Sequence, residues 1–324
     1  MHLYPTAAIL LAAALAVQLF SPAAIAQDPQ FSQFYANHLY LNPAFAGSAR
    51  CPRFSLNYRN QWPAISGNFV TYSASYDQHI DAIQGGIGVN AFVDMSANNT
   101  LRTTYVGAMY SYLLNINRKL SMRFGLQGSY GQRNIDWSRL TFGDQIDARY
   151  GFIYNTQEQR PLEVTRFFDV NAGTIIYSDK FYGGVAVHHC TQPNEGFLGL
   201  SRLPLRITAH AGAVFALNQR SKYVSPASIS PNILFMMQQN FRQLNLGFYA
   251  TKGVFVGGLW YRNLDAFILL AGIQKNNFKV GYSYDFTISR LTNRTGGAHE
   301  VSMGFIIPCR PPIRRFRTVR CPSF

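Results

Sequence analysis

From Arg53 onward the chain alternates apolar and polar residues with a period of two. In Leu120–Tyr130 one face reads Leu120, Met122, Phe124, Leu126, Gly128, Tyr130, and the other Ser121, Arg123, Gly125, Gln127, Ser129. Phe278–Ile288 repeats it, with Phe278, Val280, Tyr282, Tyr284, Phe286 and Ile288 set against Lys279, Gly281, Ser283, Asp285 and Thr287. Successive strand residues point to opposite faces, so each run gives a strand with one apolar and one polar or glycine face. The runs match the roughly 9–11 residues that a tilted strand needs to cross a bilayer.

The same alternation predicts fourteen strands. They lie near 53–62, 68–79, 84–94, 101–115, 119–133, 165–178, 181–190, 205–218, 228–239, 241–252, 253–262, 265–275, 277–289 and 298–307. The expected fold is all-β, a transmembrane antiparallel β-barrel. An even count returns both ends to one side. The long connections near 134–164 and 191–204 follow the fifth and seventh strands, whereas short turns follow the fourth and sixth. Long outer loops and short periplasmic turns are the habit of outer-membrane barrels, which puts both termini in the periplasm. The longer inner link near 219–227 is the irregular member.

Ahead of the strands, Asp28–Gly47 (DPQFSQFYANHLYLNPAFAG) follows neither period throughout. Phe31, Phe34 and Tyr35 fall on one face of a helical turn. Asn42-Pro43 reads as a turn start, and Gly47 as a permissive joint before the first strand. Further upstream, Met1–Ala26 carries no Lys, Arg, Asp or Glu; Ala7 to Phe20 form an Ala/Leu-rich apolar core and Ala24-Ile25-Ala26 gives the small-x-small cleavage signature of a secretory signal peptide. The expected division is therefore 1–26 signal peptide, 27–51 periplasmic or plug-like segment, 52–307 barrel and 308–324 basic periplasmic tail.

A net charge of +14 would point a cytoplasmic protein towards nucleic acid. An exported chain meets none, so no nucleic-acid partner is expected; lipopolysaccharide phosphates or an acidic protein suit the charge better. The tail contributes Arg310, Arg314, Arg315, Arg317 and Arg320. Of the cysteines Cys51, Cys190, Cys309 and Cys321, the pair flanking that tail, Cys309 and Cys321, is the expected disulfide, although connectivity is not fixed by sequence.

The opening segment, and in particular its FSQFY and LNPAFAG elements followed by Asn57-Tyr58-Arg59-Asn60-Gln61-Trp62, resembles the PorP/SprF family of the type IX secretion system of Bacteroidetes. The resemblance implies a fourteen-stranded outer-membrane barrel in contact with outer-membrane lipid and periplasmic components of the secretion apparatus. It also implies a secreted client protein, such as an adhesin used in gliding.

Other candidate chemistry is sparse. His188 and His189 are adjacent and would point to opposite faces of a strand, which argues against a shared metal ion and for interfacial polar residues at a strand end. No helix is expected after Gly85-Gly86, Gly183-Gly184 or Gly257-Gly258, so no phosphate-cradling loop or cofactor is predicted. No nucleophile elbow is present, and an enzyme ranks third. Inward Arg59, Arg123 and Lys279 either line a pore or pair with Asp77, Asp169 or Asp285. The expected function is a non-enzymatic secretion component. Its partner-binding segment is Phe31, Phe34, Tyr35, Asn42, Pro43, Phe45 and Gly47, with Arg314, Arg315 and Arg317 as a second contact. A passive porin or small-solute transporter is the alternative.

Overall fold

The computed structural model describes residues 28–147, 149–158, 162–217, 227–288 and 295–309. The expected signal peptide, the link near 219–226 and the tail with Arg314, Arg315, Arg317 and Cys321 lie outside the described residues. Fourteen antiparallel strands close into a barrel. The first seven are β1 (Arg53–Gln61), β2 (Phe69–Ile80), β3 (Gly85–Ser96), β4 (Leu101–Asn115), β5 (Ser121–Ile135), β6 (Val164–Tyr177) and β7 (Phe181–His188). The rest are β8 (Arg206–Ala213), β9 (Ala227–Gln238), β10 (Phe241–Lys252), β11 (Phe255–Arg262), β12 (Ala266–Lys275), β13 (Phe278–Thr287) and β14 (Ala298–Ile306). Each pairs with its sequence neighbours, and β1 closes the barrel on β14 in the register Arg53↔Ile306 to Gln61↔Ala298. Among the described residues, no helix is long and apolar enough to cross a membrane.

The alternation places side chains as expected. On β5, Ser121, Arg123, Gln127 and Ser129 are buried inside, while Phe124 and Leu126 are exposed outside. The outer wall is a continuous apolar belt, with Leu56, Val106, Ile233, Leu269 and Phe286 among its members. A patch of that extent is covered by lipid rather than left in water.

We call the rim at Arg53 and Ile306 the near rim and the opposite one the far rim. The connections 136–163 and 189–205 both stand on the far rim. The far rim is uneven, because the connections after β9 and β11 are tight turns at 239–240 and 263–265. The link after β3 (97–100) is no longer than a near-rim turn, so the long connections are chiefly those after β5 and β7.

The expected Cys309–Cys321 disulfide is corrected. Cys309 bonds Cys51, with 5.5 Å between the Cα atoms. The cause is barrel closure: β1 begins and β14 ends side by side, so the residues flanking them meet although 258 positions apart. Non-reducing digestion and mass spectrometry should recover the two peptides joined. Cys190, exposed and in no disulfide among the described residues, should take up maleimide without reductant.

Candidate functional site: a plugged lumen and its far vestibule

Residues 28–50 fill the lumen. This segment runs from the far rim, where Asp28 meets His189 and Arg206, down to the near rim, where Cys51 is tied to Cys309. The expected helical turn at 31–35 is tighter and shorter than a regular helix. Ala36 N–H donates to Gln33 O at 3.0 Å, and a formal α-helix covers only His38–Leu41. The Asn42-Pro43 expectation holds in detail: Asn42 Oδ1 accepts from Ala44 N at 2.9 Å, and Pro43 opens a 3-10 turn, Pro43–Phe45.

The plug and the lumen wall match by polarity. On one side the wall offers Leu234, Tyr249, Val256, Trp260, Ile268 and Leu270 from β9–β12, and the plug turns Phe34, Tyr35, Leu39 and Phe45 into the same apolar cluster. Phe34 packs edge-on to Trp260 at 5.1 Å between ring centroids, and Phe45 stacks on His210 at 5.3 Å. Each large apolar side chain so buried contributes roughly 1.5–3 kcal/mol. On the adjoining arc β13, β14, β1 and β2 present polar groups, and the plug turns Ser32, Gln33, Asn37 and His38 towards them.

Three buried polar centres fasten the plug. Towards the far ends of β13, β14 and β1, Arg59 pairs with Asp285 (3.0 Å) and Glu300 (3.2 Å), and Arg262 pairs with Asp285 (3.2 Å). Ser32 N–H donates to Glu300 at 2.6 Å, Ser32 Oγ donates to Asp285 at 2.6 Å, and Arg262 donates to Ser32 Oγ at 2.9 Å. Two guanidinium groups thus balance two carboxylates in a dry site. At the near end, Asp77 accepts from Arg53 Nε at 2.9 Å and from Gly47 N–H at 2.8 Å, and lies 3.1 Å from His38 Nε2. Arg123 donates to the carbonyls of Ala46 and Gly47, at 3.0 Å each. Arg59, Asp77 and Asp285 are therefore paired around the plug, whereas Arg123 serves backbone carbonyls rather than an acid.

The near half of the plug lies directly on the wall. A Cβ at Gly86, Gly125 or Gly173 would collide with Ala46, Ala44 or Asn42 respectively, so bare strand backbone forms the seat. Gly47 itself has φ +66°, and a Cβ there would meet Gly86 Cα at 2.6 Å. Here the permissive joint is required twice over, by dihedral and by space.

The third centre is at the far rim. His189 has φ +60°, a left-handed residue that breaks strand alternation just after β7 and turns its ring into the lumen beside that of His188. The expectation that the two would face apart fails for that reason. His189 Nε2 lies 2.7 Å from Asp28 and Nδ1 2.7 Å from Asp169. Burial alone would depress its pKa, but the two carboxylates outweigh that effect and raise it to about 9. A raised value means that the anchor is fully present below the ordinary histidine pKa of 6.5 and is lost as pH rises through about 9. Backbone amides of residues 30–33 should accordingly show protection from hydrogen exchange at pH 6 that falls at pH 9.5, after correction for intrinsic rates. Protection that is unchanged across this range would rule out the His189 latch.

Above the plug lies a vestibule of about 600 Å³, open at the far mouth and lined by Asp28, Tyr40, Asp94, Arg133, His189, Glu195 and Arg206 among others. Sequence reasoning found the plug residues, took His189 only for an interfacial polar residue, and missed Arg206, Arg262 and Glu300. The only signal for the last two was their inward parity at far strand ends. Among the described residues, no group of His, Cys, Asp and Glu is arranged to hold a metal ion.

Three solved structures are similar to this chain over most of its length. A Pseudomonas aeruginosa FadL homologue is 11% identical, covering 88% of this chain and 100% of its own, at TM-score 0.43. The P. putida toluene transporter TodX is 9% identical, covering 83% and 93%, at TM-score 0.46. Acinetobacter baumannii Omp33 is 8% identical, covering 79% and 98%, at TM-score 0.43. No curated protein sequence matches. The family model described as type IX secretion system membrane protein PorP/SprF matches residues 23–305, nearly all of the plug and barrel. A closed lipid-facing barrel under that match makes the protein an outer-membrane component of type IX secretion, and the chain belongs to the PorP/SprF family.

Proposed function

We propose that this barrel is a non-conducting scaffold: it presents a secreted client at its far rim and contacts the periplasmic apparatus at its near rim. The observation that carries the reading is the filled lumen. A passive porin needs a water-filled path, whereas here residues 28–50 occupy the bore, tethered at the near rim by Cys51–Cys309 and fixed by buried charge. The long connections on the far rim support an outward orientation, which puts the near rim and the basic tail in the periplasm. The far loops also carry exposed Tyr150, Phe152, Leu198 and Leu200, apolar groups above the membrane belt that favour protein contact.

On this reading the seven segment residues act from inside. Phe31, Phe34, Tyr35, Asn42, Pro43, Phe45 and Gly47 are buried in the lumen and shape the barrel that partners meet. The tail arginines Arg314, Arg315 and Arg317 serve as the periplasmic contact. Photo-crosslinkers placed at Leu198 and Phe152 should capture a secreted protein, and ones on the tail a periplasmic component. In planar bilayers the wild-type protein should show no large steady channel. A large open channel, with nothing captured at the far rim, would restore the porin.

A further inference from the structure

We infer that the far vestibule is a binding site for a cationic side chain, lysine or arginine, on a peptide segment of the client. This deepens the proposed function and rests on it. Although the chain carries +14 overall, the vestibule lining is close to neutral, with a single carboxylate in excess. Its lining includes four carboxylates, Asp28, Asp94, Glu195 and Asp265, against Arg133, Arg206 and the shared His189. Most of these are already paired: Arg133 holds Glu195 at 2.8 Å, Arg206 and His189 hold Asp28, and Arg262 reaches Asp265 at 3.3 Å.

Asp94 is the exception. It stands on the inward face of β3 between Thr71 of β2 and Thr103 of β4. Its Oδ1 accepts from Thr71 Oγ1 at 2.6 Å, and among the described residues no cation is within ion-pair distance of it, although the Arg133 charge acts on it. Below it the wall is aromatic. Phe92 stacks on Tyr105 at 5.0 Å, with Tyr40 at 5.5 Å on the other edge of Phe92. A half-buried carboxylate above aromatic faces attracts a cation by charge and by the ring quadrupoles together. The same cavity already shows this chemistry within the chain, since the Arg206 guanidinium lies 4.7 Å from the centre of the Tyr40 ring. A volume of about 600 Å³ suits a short peptide segment, not a lone ion. The opening faces the rim where the client is proposed to arrive.

The test uses the full-length barrel in detergent. The probes are fluorescent acetyl-Gly-Gly-Lys-Gly-Gly amide, its norleucine counterpart and putrescine. The lysine peptide should bind, weaken as salt is raised, and lose about tenfold in affinity on Asp94→Asn while Asp94→Glu retains it. The norleucine peptide should bind no better to wild type than to Asp94→Asn. Equal binding of the two peptides to wild type, or no effect of Asp94→Asn in a barrel that keeps its folded gel mobility, overturns the site. Putrescine binding more tightly than the lysine peptide assigns the site to free polyamines and overturns the client part. Client captured at Leu198 with secretion unaltered by Asp94→Asn removes this inference and leaves the proposed function standing. Peptide binding with no capture removes the proposed function instead.

Discussion

Replacing Arg59 by methionine is expected to destabilise the plugged barrel by about 3–5 kcal/mol, the largest point effect in the molecule. Arg59 is 2% exposed and is shared by Asp285, Glu300 and Ser32, so its removal strands carboxylates in a site that water does not reach. The change should appear as loss of the compact form on semi-native gels at a lower temperature, and as earlier unfolding in denaturant. Glu300→Gln alone should also destabilise, because it leaves Arg59 with one acid and weakens the acceptor for Ser32 and Gln33 N–H. The double variant should cost clearly less than the two single effects together, since each removes the same pairing. Strict additivity would mean that the four charged groups do not act as one cluster.

Strand positions and inward or outward sense were legible because a barrel wall obeys one strict rule, the period of two. Arg123 and Phe124 are neighbours in sequence, yet one is fully buried and the other exposed, and alternation alone assigns both. What alternation does not carry is closure and conformation off the ladder. Cys51 and Cys309 become neighbours only once β1 pairs with β14, a fact of topology that no local pattern holds. His189 faces inward because its φ is positive, which neither its type nor its spacing announces. The opening segment was legible as aromatic, turn-rich and distinct from the strands. Its path was not: Asp28 lies at the far rim, near His189, Arg206 and Gln238, while Cys51 lies at the near rim. Complementarity between the plug's two faces and the lumen's two faces sets that path, and it becomes visible only when the strands are arranged in a ring.

Deleting residues 28–47 is expected to leave a barrel that inserts, conducts and no longer supports secretion. Insertion should survive because every ladder, including β1 on β14, is made by strand pairing without the plug. Conduction should appear because the emptied bore exposes Arg59, Arg262, Asp285 and Glu300 to water, a balanced set that hydrates readily. Planar bilayers should then record a steady open channel that the intact protein lacks. Secretion should fail for a separate reason at the far rim: without Asp28, His189 and Arg206 lose the carboxylate they share, and loop 189–205 loses its fixed position over the vestibule. The single variant Asp28→Asn isolates that step. It should reduce client capture while leaving the bore closed, because Asp77, Arg123 and the Arg59 cluster still hold the plug. If the deletion abolishes insertion, the segment is a folding core and nothing more. If the deleted barrel inserts and secretes normally, the scaffold reading fails with it.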